Sequence, residues 1–134
     1  MTDEKRARNL ATAEAAFEGV SNADAEAQLA NYTDDMVLEL AFTDPPVRLE
    51  GKQNALQFLG EAFAVYKMRL TITRVHQCLD PDELIVEFTS KGHLATSGKP
   101  YANVYIVVLQ FRDGLICFQR EFFDSLVAAR ALSA

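Results

Sequence analysis

Residues 101–124 have the sequence YANVYIVVLQFRDGLICFQREFFD, in which Asp113-Gly114 separates two apolar runs. Asp-Gly between alternating apolar runs is a strong β-hairpin signal, because both central positions of the tight turn take a positive φ. The stretch therefore predicts two long antiparallel strands, and the other predicted elements can be placed around them.

Side chains alternate between the two faces of a strand, so the hairpin presents two sets. One face of the first strand carries Tyr101, Asn103, Tyr105, Val107, Leu109 and Phe111, and the other carries Ala102, Val104, Ile106, Val108 and Gln110. The face of Asn103 and Tyr105 continues into the second strand with Gln119, Glu121 and Phe123. Polar groups amid so much apolar surface need hydrogen-bond partners or a ligand, which predicts a pocket on this face.

The composition argues against several classes of protein. The 134 residues, 49% hydrophobic and 24% charged, predict one globular domain over residues 1–134. A net charge of −6 without a basic cluster argues against nucleic acid or an anionic membrane as partner. No apolar run reaches membrane-spanning length, and residues 1–10 lack a signal-peptide core, so we expect a cytoplasmic protein.

The cysteines and histidines indicate neither a metal site nor a cofactor. The two cysteines, Cys78 and Cys117, are expected as reduced thiols, with a disulfide between them the less favoured alternative. The two histidines, His76 and His93, are expected at the surface or an interface, and no close cluster of Cys, His and acidic residues accompanies them. We therefore expect no metal and no cofactor.

Hydrophobic periodicity places the remaining elements. Helices are predicted over residues 3–19, in a short segment capped by Ser21-Asn22-Ala23-Asp24 that ends near Tyr32, and after Gly51. Strands are predicted over residues 36–42, 68–79 and 84–94, with a bulge at Gly92, and residues 126–132 are expected to add a helical turn or two. The order α-α-β-α-β-β-β-β predicts an α+β fold, a mainly antiparallel curved sheet wrapped round a long helix with a cone between them.

The chain resembles the SnoaL-like branch of the nuclear transport factor 2-like superfamily, which includes ketosteroid isomerase and limonene-epoxide hydrolase. The resemblance rests on Phe17 in the first helix, Tyr32-Thr33-Asp34-Asp35 before a strand, Leu49-Glu50-Gly51-Lys52 before the long helix, and Asp113-Gly114 followed by Arg120-Glu121-Phe122-Phe123-Asp124. It implies a cone-shaped α+β barrel with an internal ligand pocket, and dimers packed through the outer sheet face. The apolar outer set Val104, Ile106 and Val108 agrees with such a dimer.

The catalytic residues of these relatives carry over poorly. The Arg-x-Asp positions of the epoxide hydrolase fall on Phe88 and Ser90, and its water-holding positions fall on Leu38 and Leu40. The base of the isomerase falls on Leu40, its hydrogen-bonding acid near Val107, and its pocket tyrosine near Phe17. Only the third acid of the hydrolase keeps an equivalent, at Glu121. The resemblance therefore implies neither mechanism.

Glu121 is the candidate catalytic residue, because a carboxyl in an apolar cone has a raised pKa that suits a general base or acid. The alternative is a structural acid bonded to neighbouring Tyr or Gln. The candidate ligand-binding polar residues are Asn103, Tyr105, Gln119 and Ser90, for which an internal network or a backbone bond is the alternative. The apolar pocket wall is predicted to comprise Leu38, Leu40, Phe42, Leu59, Phe63, Tyr66, Phe88 and Phe123, with plain core packing as the alternative.

These predictions together favour a homodimer that holds a small, mostly apolar, oxygen-bearing molecule. As an enzyme it would catalyse isomerisation, cyclisation or hydration by proton transfer. A non-catalytic binding or accessory protein and a scaffold whose cone is filled by its own side chains remain open. Arg120 and Glu87, both of outer parity, are expected to pair across the back of the sheet.

Overall fold

The computed structural model describes residues 2–133, over which the chain forms four helices and six strands. In chain order these are α1 (Thr2–Ser21), α2 (Ala25–Leu29), β1 (Tyr32–Leu40), β2 (Val47–Glu50), α3 (Lys52–Val65), β3 (Tyr66–Gln77), β4 (Glu83–Leu94), β5 (Pro100–Arg112), β6 (Leu115–Phe123) and α4 (Ser125–Leu132). The predicted α+β class is confirmed, with one strand more than expected.

The six strands form a single curved sheet in the order β2-β1-β6-β5-β4-β3. Neighbouring strands are antiparallel except β1 and β6, which are parallel and place Leu38 beside Gln119 and Leu40 beside Glu121. The first strand of the sheet in sequence thus lies next to the last, and the inner faces of both contribute to one concave surface.

The β5–β6 hairpin forms as predicted. Asp113 and Gly114 have φ values of 53° and 82°, which match the two positive φ angles that the tight turn requires. The predicted faces are also confirmed, because Val107 and Leu109 are fully buried on the inner face while Val104 and Ile106 are 59% and 39% exposed on the outer one.

The hydrophobic core lies between the concave face and helices α1 and α3. Ala13 and Ala16 of α1 are fully buried, and the ring of Phe17 packs 4.7 Å from the ring of Phe88 on β4. The predicted stripe of α3 buries Ala55, Leu59 and Phe63 against the sheet, joining the same core. Each large apolar side chain buried in this way contributes roughly 1.5–3 kcal/mol.

The region from Tyr32 to Glu50 departs from prediction at both ends. The predicted polar break of Thr33, Asp34 and Asp35 lies inside β1, where the pairing with β6 shifts register between Tyr32 and Val37. Asp34 and Asp35 stay exposed, and ion pairs to Lys52 and Arg112 satisfy their charges. β1 therefore begins earlier than predicted and ends at Leu40, which leaves Phe42 in the following loop.

Strand β2 is missing from the sequence-based prediction. It has four residues, follows two prolines and, within residues 2–133, pairs with β1 alone, Leu49 lying opposite Leu38. Four residues are too few to establish a period, and the edge of a sheet is where strands are shortest.

Two local predictions about capping and bulging are wrong. Asp24 caps α2 alone, its side chain accepting from Ala27 N at 3.0 Å, so the predicted Ser21 capping box does not form. Gly92 lies in regular register opposite Met68 and Tyr101 and makes no bulge. The residue instead permits a close approach, because a Cβ there would lie 1.9 Å from the carbonyl oxygen of Lys67.

The ion pairs on the outer face also differ from prediction. Arg120 does not pair with Glu87. Its Nε donates to Glu39 at 2.8 Å, while the Glu87 carboxylate lies 2.5 Å from Nε2 of His76. Cys78 and Cys117 are free thiols, as expected. Between Thr2 and Ser133, no helix combines the length and the apolar character that crossing a membrane would require.

Candidate functional site

A cavity of about 760 Å³ lies between the concave face of the sheet and helices α1, α3 and α4. Its wall is mostly apolar. The predicted wall residues all line it: Leu38, Leu40, Phe42, Leu59, Phe63, Tyr66, Phe88 and Phe123. The cone is therefore not filled by its own side chains, which removes the simplest form of the scaffold alternative.

Glu121 lies on the inner face of β6, held between Leu40 of β1 and Val107 of β5. Its side chain lines the cavity, and its carboxyl accepts no hydrogen bond from any group of residues 2–133. Burial without a compensating charge or donor raises the pKa of Glu121 to about 7. The alternative in which Glu121 is bonded to neighbouring Tyr or Gln side chains is therefore not what the structure contains.

Gln119 precedes Glu121 by two residues and shares its face. Tyr32 donates its hydroxyl proton to Oε1 of Gln119, and Nε2 of Gln28 lies 3.5 Å from the Tyr32 oxygen. Burial raises the pKa of Tyr32 far above its usual range, so the phenol stays protonated. Sequence reasoning missed Tyr32 and Gln28, because their partner on β6 is remote in the chain.

Tyr105 lines the cavity beside these groups but is already engaged. Its hydroxyl lies 2.8 Å from Oγ of Ser90 and 3.7 Å from Sδ of Met68, and its ring stacks on Phe88 with centroids 4.6 Å apart. Burial raises the pKa of the Tyr105 phenol as well. Ser90, predicted to contact a ligand, is buried behind Tyr105 and does not line the cavity.

Asn103 has the predicted inner orientation but does not line the cavity. Its Nδ2 donates to the Tyr101 hydroxyl at 2.7 Å and to the Asp124 carbonyl at 3.1 Å, and its Oδ1 accepts from Val104 N at 2.8 Å. The polar capacity of Asn103 is thus used within the protein, and the expectation that it faces a ligand is corrected. Tyr101, on the same predicted face, does line the cavity, its ring centroid 5.1 Å from that of Tyr66.

Helix α4 closes one side of the cavity, which sequence analysis did not foresee. Asp124 caps it by accepting from Leu126 N at 3.1 Å and Val127 N at 3.2 Å, and Lys99 Nζ donates to the Arg130 carbonyl at 3.1 Å. The residues of α4 that line the cavity are Ser125, Leu126, Ala128, Ala129 and Leu132. The apolar spacing of residues 126–132 was the available signal.

Neither histidine lies in the cavity wall. His76 pairs with Glu87, and His93 is exposed at the end of β4. Over the part of the chain that the structure describes, no three His, Cys, Asp or Glu side chains are placed together so as to hold a metal. The chemistry available in the cavity is therefore acid–base and hydrogen-bond chemistry in a mostly apolar wall. Besides Glu121, the polar side chains that line the cavity are Gln28, Thr43, Asp44, Tyr66, Tyr101, Tyr105, Gln119 and Ser125.

Comparisons with known proteins agree with this fold. The family model for the SnoaL-like domain matches residues 13–119. An uncharacterized PhzA/B-like protein of Pseudomonas aeruginosa is 30% identical over 115 residues, 84% of this chain and 82% of that protein. The uncharacterized protein YesE of Bacillus subtilis is 31% identical over 87 residues, 64% of this chain but only 59% of YesE.

A solved structure extends the likeness to the whole fold. A Bacillus subtilis protein provisionally assigned as an isomerase superimposes with a TM-score of 0.88 at 24% identity, covering 95% of this chain and 94% of its own. At that identity the likeness establishes the fold and not the reaction. Since the family match runs from α1 to the strand that carries Gln119, this chain belongs to the SnoaL-like domain family.

Proposed function

We propose that this protein binds a small, mostly apolar, oxygen-bearing molecule in its cavity and transfers a proton on it with Glu121. The reaction would be an isomerisation, cyclisation or hydration. The observation that carries the proposal is the Glu121 carboxyl, which lies in an apolar cavity without any hydrogen-bond partner from residues 2–133. An unpaired buried carboxyl costs stability, and functional sites are where such costs are concentrated.

The pKa of Glu121 suits the carboxyl both to accept a proton as a base and to donate one as an acid. With a pKa of about 7, both forms of the carboxyl are well populated near neutrality. A general base or acid is most effective when its pKa lies near the working pH. In the cavity the carboxylate would be desolvated, which strengthens it as a base relative to an exposed glutamate.

The size and lining of the cavity support the ligand class. About 760 Å³ lies within the range of small-molecule sites, and a few polar groups in a mainly apolar wall are typical of them. At the positions aligned with the water site of the epoxide hydrolase, this chain has Phe88, Ser90, Leu38 and Leu40. These residues support proton transfer on the ligand over hydrolysis of an epoxide.

The test is solvent exchange of an enolisable ketone. We expect the protein to accelerate exchange of the α-protons of 2-tetralone in D₂O, followed by ¹H NMR, with a rate that rises through an apparent pKa of about 7. Glu121→Gln keeps the shape and removes the base, so it should lower the rate by at least about 100-fold. The matched control is Glu39→Gln, the same change on the outer face of β1, which should leave the rate unaltered.

A non-catalytic binding protein is the second candidate, favoured by the engagement of Tyr105 with Ser90 and of Tyr32 with Gln119. Binding of 2-tetralone by the wild-type protein without any Glu121-dependent exchange would establish that role and contradict the catalytic one.

A further inference from the structure

The side-chain amide of Gln119 has its two ends in different surroundings. Its oxygen accepts a hydrogen bond from Tyr32, which lies behind the cavity wall. Its nitrogen donates to no acceptor in residues 2–133, and it is not among the fully buried polar atoms that lack a partner. The side chain is 5% exposed and lines the cavity, so the remaining exposure of this nitrogen is to the cavity itself.

The hydrogen bonds of Tyr32 set which end of the amide faces the cavity. Gln28 Nε2 lies 3.5 Å from the Tyr32 oxygen and is oriented to donate to it. A phenol has one proton, and here that proton goes to Gln119 Oε1. The chain of donors therefore runs from Gln28 through Tyr32 to Gln119 and leaves both N–H groups of Gln119 without an acceptor in residues 2–133.

We propose that Gln119 Nε2 is the donor that selects a carbonyl oxygen on the ligand, and that Tyr32 is the positioning residue that keeps this N–H group turned into the cavity. The inference deepens the proposed function and rests on it for the presence of a ligand. The ligand class that follows is an uncharged ketone or aldehyde. Its carbonyl oxygen accepts from Gln119, whereas a carboxylate would be repelled by the Glu121 anion.

The position of Glu121 supports this ligand class. Gln119 and Glu121 are two residues apart on one strand face, a Cα separation of about 7 Å. With its carbonyl oxygen on Gln119 Nε2, the ligand would present its α-carbon to Glu121. Glu121 would take the proton from the α-carbon, the C–H electron pair would form a C=C bond, and the π pair of the C=O bond would move to the oxygen, where Gln119 would stabilise the resulting enolate.

Two other polar side chains of this face, Asn103 and Tyr105, are less available as donors. Both N–H groups of Asn103 are used by Tyr101 and Asp124. The Tyr105 hydroxyl is shared between Ser90 and Met68. Among the side-chain amides that line the cavity, Gln28 has its nitrogen turned to Tyr32, which leaves Gln119 as the amide donor facing the ligand space.

The experiment compares two ligands that differ in the carbonyl alone, 2-tetralone and tetralin, by ligand-observed NMR titration. The measured quantity is the ratio of their dissociation constants. In Gln119→Met, which keeps length and removes the donor, we expect the preference for the ketone to fall about tenfold. In Tyr32→Phe the preference for the ketone should fall about threefold, because the Gln119 amide loses the hydrogen bond that orients it.

The control is Tyr66→Phe, which removes a hydroxyl from a wall residue outside the chain of Gln28, Tyr32 and Gln119 and should change both affinities alike. An unaltered ratio in a folded Gln119→Met protein would overturn the inference, as would an equal loss in Tyr66→Phe. If the wild-type protein catalyses α-proton exchange but Gln119→Met keeps the ratio of dissociation constants, only this inference is contradicted. If Gln119→Met loses the ratio but the wild-type protein catalyses no exchange, only the catalytic proposal is contradicted. Failure of the wild-type protein to bind either ligand contradicts both.

Discussion

Glu121 and Glu39 show how one residue type acquires opposite properties from its surroundings. Glu39 lies on the outer face of β1, where the guanidinium groups of Arg120 and Arg48 lower the pKa of its carboxyl. Glu121 lies one strand away on the inner face, without a cation, and burial raises its pKa to about 7. The two pKa values differ because the side chains point to opposite faces of the sheet. On the outer face Glu39 meets two arginines, and on the inner face Glu121 meets an apolar cavity.

This contrast predicts opposite pH dependences of stability. Because the folded pKa of Glu121 lies above its unfolded value, the folded state binds the extra proton between about pH 4.5 and pH 7, and the contribution of Glu121 to the free energy of unfolding falls across that window. Glu121→Gln removes this contribution, so the stability of the variant relative to the wild type should increase as pH rises, by at most about 3 kcal/mol. Urea unfolding at several pH values measures the difference.

Glu39→Gln is the control and should behave in the opposite sense. A lowered folded pKa contributes stability above the unfolded value that is lost as pH falls, so this variant is destabilised at neutral pH and approaches the wild type in acid. A free energy difference between Glu121→Gln and wild type that does not change from about pH 4 to about pH 8 would contradict the unpaired, buried carboxyl.

At the scale of elements, the pairing of β3 with β4 builds one wall of the cavity. The two strands contribute Met68, Leu70 and Phe88, and Gly92 lies opposite Met68 in their register. Since a Cβ at Gly92 would meet the Lys67 backbone at 1.9 Å, no side-chain movement can relieve the overlap. The close approach of these strands therefore depends on that glycine.

Gly92→Ala should destabilise the protein by at least about 3 kcal/mol, measured by the urea midpoint, and should weaken hydrogen-exchange protection first in β3. Gly60→Ala supplies the control, since Gly60 lies in α3, where an added Cβ would meet nothing within 4 Å. There the change should stabilise by about 0.5–1 kcal/mol, because alanine favours the helix. Equal urea midpoints for the two variants would show that the close approach of β3 and β4 does not require a glycine at position 92.

At the scale of the whole molecule, the outer face of the sheet is the surface we propose for dimerisation. Val104 and Ile106 protrude from β5, 59% and 39% exposed, beside the partly buried Val108. Monomers rarely leave a contiguous apolar row open on a sheet. A second copy of this chain would cover the row and leave the cavity on the opposite face free.

Ile106→Asp should therefore yield monomers or insoluble protein, because it places a charge in the buried interface. Sedimentation velocity measures the mass, and Leu79→Asp is the matched control, since Leu79 is fully exposed at the turn between β3 and β4. A folded Ile106→Asp protein that sediments like the wild type would refute this interface.

The sequence alone determined the parts of the molecule that depend on neighbours in the chain. Asp113-Gly114 specifies its turn because both residues tolerate a positive φ, and the alternation of β5 and β6 assigns Glu121 and Gln119 to the inner face. The stripe of α3 likewise follows from helical periodicity. These features predicted the fold class and the apolar wall of the cavity.

Only the tertiary structure decided which polar groups remain free. Asn103 and Gln119 share a face of the sheet. The Asn103 amide donates its hydrogen bonds to Tyr101 and Asp124, whereas the Gln119 amide accepts one from Tyr32, in a distant part of the chain, and keeps its N–H groups free of any acceptor within residues 2–133. The parallel pairing of β1 with β6 and the placement of β2 and α4 depend likewise on contacts between distant segments. Side-chain parity is a local property of a strand, but a hydrogen-bond partner is set by register across the sheet, which no local pattern encodes.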